Sequence, residues 1–200
     1  MRHTVCDDLR NDILDVVGDL LKRYGYRKMT VDDIAHEVGI GKGTVYHFFP
    51  SKEEIAFAWL DSSNVKMRET LQEIASSEGR PTERLRRMLI KRVMLRFDAS
   101  QDFRESIEEL FSDMRTAFLS RRQANHIAEA HIFSVVLAEG LRNGDFDVDN
   151  CDFVAEMLLL ATNSLLPYSL SAAQLGNRDE IEDKAARIAD IVLNGLIKRS

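Results

Sequence analysis

Residues 30–55 read TVDDIAHEVGIGKGTVYHFFPSKEEI: two short helical patterns separated by glycines and followed by a proline. In the first pattern, apolar residues recur at the spacing of one helix face: Val31, Ile34, Ala35 and Val38. Thr30, with Asp33 three residues later, predicts a capping box at the start of this helix. Gly39 suits the left-handed conformation that ends a helix, and a second helix can then begin at Lys42. Because so short a link makes two helices cross steeply, the stretch predicts a helix-turn-helix.

The second helix is expected to have an inward and an outward side. Val45 and one of the two phenylalanines that follow it, Phe48 or Phe49, face inward. The remaining side chains point elsewhere and are mostly hydrogen-bond donors: Lys42, Thr44, Tyr46 and His47. After the proline, Ser51 and Glu54 predict a second capping box and a further helix.

This stretch resembles the DNA-binding signature of the tetracycline-repressor (TetR) family of bacterial regulators. The matching positions are Thr30, Ile34, Ala35, Gly39, Gly43, Thr44, Tyr46, Phe49, Ser51 and Lys52. Counting the helix that precedes it, the resemblance covers about a quarter of the chain. One departure is Gly41, where the family often carries serine or alanine, so that the second helix lacks a side-chain cap. Relative to serine, this loss costs only about a few tenths of a kcal/mol.

The resemblance implies that the second helix is a recognition helix for the major groove of DNA. Lys42 and Thr44 are our candidates for contacts with base edges. The residues interpreted as phosphate contacts, which fix the register of the protein on DNA, are Thr30, Tyr46, His47 and Lys52. Gly43 completes the predicted DNA-binding set. Two alternatives stay open, namely that Tyr46 is a buried aromatic residue supporting the helix and that His47 is a solvated surface residue.

The charge of the chain is unevenly distributed. Although the formal net charge is −6, residues 22–52 contain six basic and three acidic side chains, a balance of +3 that leaves −9 elsewhere. A small cationic patch on an acidic body suits a protein that contacts phosphates at one end. Arg27 and Lys28 lie just before the helix that follows Thr30, whose dipole and free amides attract anions. The alternative is that both are solvated loop charges.

Composition predicts an all-α globular chain. Of 200 residues, 44% are hydrophobic and 30% are charged, which is enough apolar material for one large core or two small ones. There are only three prolines and ten thinly spread glycines, and no useful alternating strand pattern occurs. The amino terminus lacks an apolar signal core, and no run approaches the roughly 18 apolar residues that span a bilayer. We therefore expect a cytoplasmic protein with no membrane partner, whose Cys6 and Cys151 are reduced thiols.

Helical patterns continue along the rest of the chain. The first helix is predicted over about Val5–Tyr24, with Gly25 ending it. A stretch from Thr82 carries many arginines, which we interpret as a solvated face with acidic neighbours rather than as a second nucleic-acid surface. A short helix around Leu110 follows, and then a long helix over about Thr116–Arg142. The inward candidates of the long helix are Phe118, Ile127, His131, Val135 and Leu141.

The last two helical patterns lie near residues 150–166 and 179–198. They carry more apolar residues than a single chain could shield from water. The first of them is apolar almost all round and therefore requires burial on more than one side. Pairing both with the same helices of a second copy would bury them in a four-helix bundle, as the resemblance also implies. The alternative is that one helix forms the core of its own domain. The predicted dimer contacts are Leu158, Leu165, Ile188, Val192 and Leu196.

Three parts of the chain are predicted: a helix-turn-helix domain over 1–50, a connecting helix over 51–75, and a helical effector-binding and dimerisation domain over 76–200. In the family, a small molecule enters a cavity within the carboxyl-terminal helices and lowers operator affinity. The predicted lining suits an apolar or aromatic effector: Met88, Arg92, Phe97, Phe111, Met114, Phe118, His131 and Met157. Arg92, His126 or His131 would be its polar anchor. The alternative is that these residues belong to the core or the rim of the bundle.

Enzymatic motifs are absent from the sequence. There is no G-x-S-x-G, P-loop or G-x-G-x-x-G, and GIGKG at 39–43 follows no predicted strand. His3 with Cys6, and His126 with Glu129, would each supply two metal ligands at most, so neither a metal nor a cofactor is predicted. The sequence favours a ligand-responsive regulator, by family resemblance a repressor that binds a palindromic double-stranded DNA operator as a homodimer. The alternative is a helical small-molecule-binding or interaction protein with a vestigial DNA head.

Overall fold

The computed structural model describes the backbone of residues 2–165 and 176–196, with side chains from residue 8 onward in those ranges. Regular secondary structure in this part of the chain is α-helical, which confirms the predicted fold class. The helices are α1 (Arg2–Lys28), α2 (Val31–Val38), α3 (Lys42–Phe48), α4 (Lys52–Ala75), α5 (Pro81–Asp102), α6 (Arg104–Asp113), α7 (Arg115–Asn143), α8 (Cys151–Asn163) and α9 (Arg178–Asn194). Among the described residues, none of these helices combines the length and apolar character needed to cross a bilayer.

The chain divides into two compact units. The first consists of Met1–Val65 and Gln101–Arg121, and the second of Lys66–Ser100 and Arg122–Ser200. The sequence prediction assigned all of 76–200 to one domain, whereas the structure places residues 101–121 in the first unit. The difference arises because α6 packs against α1, where Ser106 Oγ donates a hydrogen bond to the carbonyl oxygen of Leu21 at 2.8 Å. Such a contact between distant segments leaves no local signal in the sequence.

The core of the first unit forms around the apolar stripe of α1. The buried residues of this stripe include Ile13, Val17, Leu20 and Leu21. Ile34 of α2, Val45 of α3 and Ile55 of α4 are fully buried in the same core. At Gly18, a Cβ atom would lie only 2.8 Å from the indole nitrogen of Trp59, so the glycine lets this ring pack against α1. The helix predicted from this apolar spacing is therefore confirmed, although Tyr24, the last apolar residue at that spacing, is 47% exposed.

α1 is interrupted at Gly25, where φ is 78° and ψ is 167°. Helical residues continue to Lys28, so the predicted helix end corresponds to a kink followed by one further turn. A Cβ atom at Gly25 would lie 3.1 Å from Oε2 of Glu109 and 3.2 Å from Cδ of Glu105. The glycine therefore serves two needs, a positive φ and the close approach of α6.

The second unit contains two groups of buried apolar residues, and α7 supplies Phe133 and Leu137 to the larger of them. Of the predicted inward residues of α7, Phe118 is buried, in the first unit. The prediction was wrong for Ile127 and Val135, which are 60% and 50% exposed. It was also wrong for the exposed side chains of His131 and Leu141. Because α7 carries apolar residues on more than one side, spacing alone could not identify the side that faces the core.

Only part of the basic run on α5 forms the solvated face that the sequence suggested, since Arg87 and Lys91 are exposed and Arg86 is half-buried. Arg84 and Arg92 are buried. Arg84 donates a hydrogen bond to the carbonyl oxygen of Ala75 at 2.6 Å and pairs with Glu139 of α7. The acidic partners of these arginines therefore come from a later helix and not from the acidic residues that directly follow α5.

Glu129 of α7 is the centre of a buried ion-pair network in the second unit. Its side chain is 1% exposed, and its Oε2 accepts a hydrogen bond from Nε of Arg92 at 2.9 Å. Its Oε1 accepts hydrogen bonds from Arg96 and from Nδ2 of Asn125. Arg92 also donates to Oγ1 of Thr162 at 3.1 Å. Burial alone would raise the pKa of Glu129, but the positive charges of Arg96 and Arg92 outweigh burial and hold that pKa below its usual value.

The last two helices begin with asparagine caps. The side chain of Asn150 accepts a hydrogen bond from a backbone N–H in the first turn of α8 at 3.0 Å. Asn177 caps α9 in the same way at 2.9 Å. α8 and α9 pack against each other. The predicted ends of these helices, residues 166 and 198, lie outside the described residues.

Candidate nucleic-acid interface

α2 and the turn after it have the geometry that the sequence predicts. The Thr30 hydroxyl accepts a hydrogen bond from the backbone N–H of Asp33 at 3.1 Å, and the Asp33 carboxylate accepts one from the backbone N–H of Thr30 at 3.0 Å. Gly39 ends α2 with φ 75° and ψ 33°, in the left-handed region. α3 starts after Gly41, which supplies no side-chain hydrogen bond to the helix. The structure thus confirms the helix-turn-helix and its uncapped second helix.

α3 is fixed on its inner side and open on its outer side. Val45 is fully buried, and Phe49, directly after the helix, is almost fully buried. The exposed residues of the outer side are Lys42, Gly43, Tyr46 and His47. Tyr46 is 44% exposed, so it is not the buried support that was the alternative interpretation. Thr44 is half-buried beside this surface. The outer side of α3 therefore presents hydrogen-bond donors on a helix that the core holds in place.

Lys42 is paired within the protein. Its Nζ donates a hydrogen bond to Oδ2 of Asp32 on α2 at 2.7 Å, and both side chains are exposed. The hydrogen bond from Lys42 to Asp32 raises the pKa of Lys42. Because exposed ion pairs contribute little free energy, an external acceptor can replace Asp32 as the partner of Lys42.

Lys52 is held against the end of α1. Its Nζ donates a hydrogen bond to the carbonyl oxygen of Arg27 at 3.0 Å and lies 4.5 Å from the centroid of the Tyr26 ring. The Tyr26 hydroxyl donates to Oε1 of Glu53 at 3.3 Å. Burial and the negative charge of Glu53 raise the pKa of Tyr26 to about 12, so this hydroxyl keeps its proton at neutral pH. The first turn of α4, with Lys52, is therefore fixed relative to α1.

Arg27 is exposed, but it lies in the last turn of α1 and is held in an ion pair. Its Nε and Nη2 donate hydrogen bonds to the two carboxylate oxygens of Asp113 at 3.1 and 2.6 Å. Its backbone N–H donates to Oε2 of Glu109 at 2.8 Å. Sequence analysis missed both carboxylates, since they lie 86 and 82 residues further along the chain. The four-residue spacing of Glu109 and Asp113 on α6 could be read from the sequence. Their pairing with Arg27 could not. Lys28 is exposed.

The residues predicted to line an effector cavity are distributed over both units. Phe111, Met114 and Phe118 belong to the first unit, because α6 and the start of α7 do. Those in the second unit are Met88, Arg92, Phe97, His131 and Met157. Of these five, the first three are buried, whereas the side chains of His131 and Met157 are exposed. The structure therefore does not gather the eight residues within one unit.

The residues predicted for the dimer interface are more buried than expected. Leu158 and Leu165 are almost completely covered by the core of their own chain, which leaves little surface for a second copy. The others, half-buried, are Ile188, Val192 and Leu196. The large apolar side chains that α8 and α9 do expose are Phe153, Met157, Leu160 and Ile191. Periodicity identified the two helices, but it did not show which of their sides is covered by the core of their own chain.

Histidine, cysteine, aspartate and glutamate side chains in the described ranges form no group of three that could hold a metal ion. The first unit offers the exposed donors of α3, together with Lys52 and the ion pair of Arg27. Such a surface can bind phosphates and base edges.

Residues 13–59 match the family model of bacterial regulatory proteins, tetR family. The transcriptional repressor KstR2 of Rhodococcus jostii is 26% identical over 94% of this chain and 90% of its own length. A TetR/AcrR-family transcriptional regulator from Thermobifida fusca has a TM-score of 0.72 and 24% identity over 96% of this chain and 100% of its own. A TetR-family regulator from Mesorhizobium loti has a TM-score of 0.78 and 13% identity, with coverages of 96% and 98%. The chain is therefore similar, over most of its length, to bacterial transcriptional regulators of the TetR family.

Proposed function

We propose that this regulator is a cytoplasmic repressor, which binds a palindromic operator as a homodimer and is released by a small, largely apolar molecule. The observation that carries the proposal is the outer side of α3, where exposed donors stand on a helix anchored by Val45 and Phe49. A short helix of this kind fits the major groove of B-DNA. The repressor activity of the relative KstR2 supports the direction of regulation.

Two classes of contact with DNA follow from the positions of the side chains. Lys42 and Thr44, near the start of α3, are proposed to contact base edges and would carry sequence preference. The residues proposed to contact phosphates are Thr30, Tyr46, His47 and Lys52. Gly43 lies between the base-reading pair, and a Cβ atom there would meet no protein atom within 4 Å. Packing within the protein therefore does not require glycine at this position. A close approach of DNA to the helix backbone would require it.

A homodimer is proposed because a single helix-turn-helix is expected to bind DNA weakly. The region that contains it has a local charge of only +3, and α3 has seven residues. Two helix-turn-helix domains, held on DNA half-sites about 34 Å or more apart, would bind the operator far more tightly than one. Phe153, Met157 and Leu160 follow one side of α8 at helical spacing, and Ile191 of α9 is exposed as well. Pairing this surface with its copy would remove large apolar side chains from water.

The effector is proposed to bind within the second unit. Met88 and Phe97 offer soft and aromatic surface there, although both are well packed in the core of the unit. His126 is a candidate polar anchor, since burial and the charge of Arg92 lower its pKa and keep the imidazole neutral. Apolar and aromatic compounds should be screened for release of a labelled duplex from the protein. If none of them releases it, the effector part of the proposal fails.

The DNA-binding proposal is tested by substituting Lys52, which the fold presents at the start of α4. K52A should weaken binding to the region upstream of the gene and to a scrambled duplex by the same factor, because a phosphate contact carries no sequence information. The slope of log affinity against log salt concentration should decrease in magnitude by about one unit. Fluorescence anisotropy of labelled duplexes over a range of salt concentrations measures both quantities.

Lys91 provides the matched control, because it is an exposed lysine of α5 in the second unit. K91A removes the same charge and should leave the salt slope unchanged. Equal slopes for K52A and the parent protein would remove Lys52 from the DNA-binding surface. A parent protein that binds neither duplex at low salt would refute the proposed function itself.

A further inference from the structure

The end of α1 faces a row of carboxylates on α6. Glu105, Glu109 and Asp113 follow one another at four-residue intervals and so share one side of that helix. The backbone of α1 comes close to this side at Gly25, where a Cβ atom would lie 3.1 to 3.3 Å from atoms of Glu105 and Glu109. The acidic side of α6 therefore lies directly against the segment that leads into the helix-turn-helix.

Arg27 is bound by two of these carboxylates, Asp113 through its guanidinium and Glu109 through its backbone N–H. The two oxygens of Asp113 accept hydrogen bonds from Nε and Nη2 of Arg27, at 3.1 and 2.6 Å, and Glu109 accepts one from its backbone N–H. A guanidinium fork binds a carboxylate and a phosphate with the same two-point geometry. The hydrogen bonds from Arg27, aided by the charges of Arg27 and Lys52, hold the pKa of Asp113 below its usual range. The charged carboxylate of Asp113 thus occupies the guanidinium of Arg27 as a phosphate group would.

Arg27 is also joined to a proposed DNA contact. Its carbonyl oxygen accepts the hydrogen bond from Lys52 Nζ at 3.0 Å. Thr30, three residues further on, caps the helix that opens the helix-turn-helix. A phosphate that reaches Lys52 therefore comes near Arg27 as well. The pair of Arg27 and Asp113 is more than one-third exposed on both sides, so water and ions reach it.

We propose that Asp113 competes with a DNA phosphate for Arg27, so that α6 lowers the affinity of the helix-turn-helix for DNA. In the free protein, Arg27 is held by Asp113 and Glu109. On DNA, its guanidinium turns from Asp113 to a phosphate, while its backbone N–H can stay with Glu109. This inference rests on the proposed DNA-binding function and adds to it a residue that opposes binding.

The expected effect of D113N is tighter binding to DNA. The asparagine keeps the shape of the side chain but removes the charge that holds Arg27. Since exposed ion pairs contribute modestly, affinity should rise by about twofold to fivefold at low salt. The salt slope should stay about the same, because Arg27 contacts a phosphate in both complexes and the substitution removes only its competitor. Anisotropy titrations of a labelled duplex of random sequence measure both quantities for the full chain.

Asp98 supplies the matched control. It accepts hydrogen bonds from Nε and Nη2 of Arg178 at 3.1 and 3.4 Å, it is half exposed, and it lies in the second unit. D98N therefore makes the same change of charge in the same kind of ion pair. A second control is R27Q, in which D113N should have almost no further effect, because the competition acts through Arg27.

Three results would overturn the proposal. D113N could bind no more tightly than D98N, which would show that Asp113 does not restrain DNA binding. D113N could bind more weakly than the parent protein, which would mean that Asp113 positions Arg27 for DNA instead of withholding it. The gain could also persist in R27Q, which would assign it to general repulsion between Asp113 and DNA. Each result differs from a parent protein that binds no DNA, the outcome that refutes the function itself.

Discussion

Replacing Glu129 by alanine is expected to lower the free energy of unfolding by about 3–5 kcal/mol. The reason is that Arg92, only 3% exposed, would lose its carboxylate partner and stay charged inside the second unit. Arg96, largely buried on the same helix, would lose the same partner. Removing the carboxylate from two buried cations costs far more than losing the attraction of an exposed pair. Urea denaturation followed by circular dichroism, at one fixed protein concentration, measures this difference.

Glu83 is the control for E129A. It pairs with Arg80 at 3.3 Å, but both side chains of this pair are well exposed. E83A should change the free energy of unfolding by no more than about 1 kcal/mol. A loss of unfolding free energy for E129A as small as that for E83A would contradict the prediction. It would show that the network around Glu129 does not stabilise the second unit.

The same carboxylate should make stability depend on pH. The pKa of Glu129 is lower in the folded chain than its usual 4.5, because Arg96 and Arg92 overcome the effect of burial. The unfolded chain therefore binds the proton first as the pH falls, and the contribution of Glu129 is complete above about pH 4.5. That contribution is lost as the pH drops through the folded value. The difference in unfolding free energy between the parent protein and E129Q should accordingly be constant near neutral pH and shrink in acid.

Replacing Leu160 by aspartate is expected to separate the proposed homodimer and to reduce operator affinity by about a hundredfold or more. Leu160 is 46% exposed on α8 and lies in the surface proposed to meet a second copy. A carboxylate there would have to be buried without a partner, which disfavours association. Loss of the second head removes the gain of about 10²- to 10⁴-fold that linked sites provide. Sedimentation velocity reports the dimer, and anisotropy with the upstream duplex reports affinity.

Leu119 provides a comparable apolar side chain outside the proposed interface. It is 38% exposed on α7 and belongs to the first unit. L119D should remain dimeric and bind DNA with the affinity of the parent protein. An L160D variant that sediments as a dimer would contradict the proposed pairing of α8 and α9.

The helix-turn-helix could be predicted because its determinants are local. The capping box joins Thr30 to Asp33, the left-handed turn needs one glycine at residue 39, and Val45 is the inner residue of a seven-residue helix. Each of these features depends on residues at most a few positions apart. Spacing and backbone preference are sufficient to specify these features. They also specify α3 and the hydrogen-bond donors on its outer side.

The partners of the longer helices could not be predicted in the same way. α8 has apolar residues on several sides, so its sequence does not tell which of Leu158 and Leu160 its own core will cover. The arginines of α5 look solvated in sequence, yet Glu129 reaches Arg92 from 37 residues away. In both cases the sequence gives the helix but leaves open the side on which its neighbours lie.

The sequence by itself determined an all-helical chain, the helix-turn-helix of residues 30–55 and the donors on its outer side, since these rest on caps, turns and spacing. Only the tertiary structure decided that α6 joins the first unit, that Asp113 holds Arg27 and that Glu129 holds Arg92. The physical reason is that packing and ion pairing act between segments that are distant along the chain. Their geometry exists only once the helices have packed together.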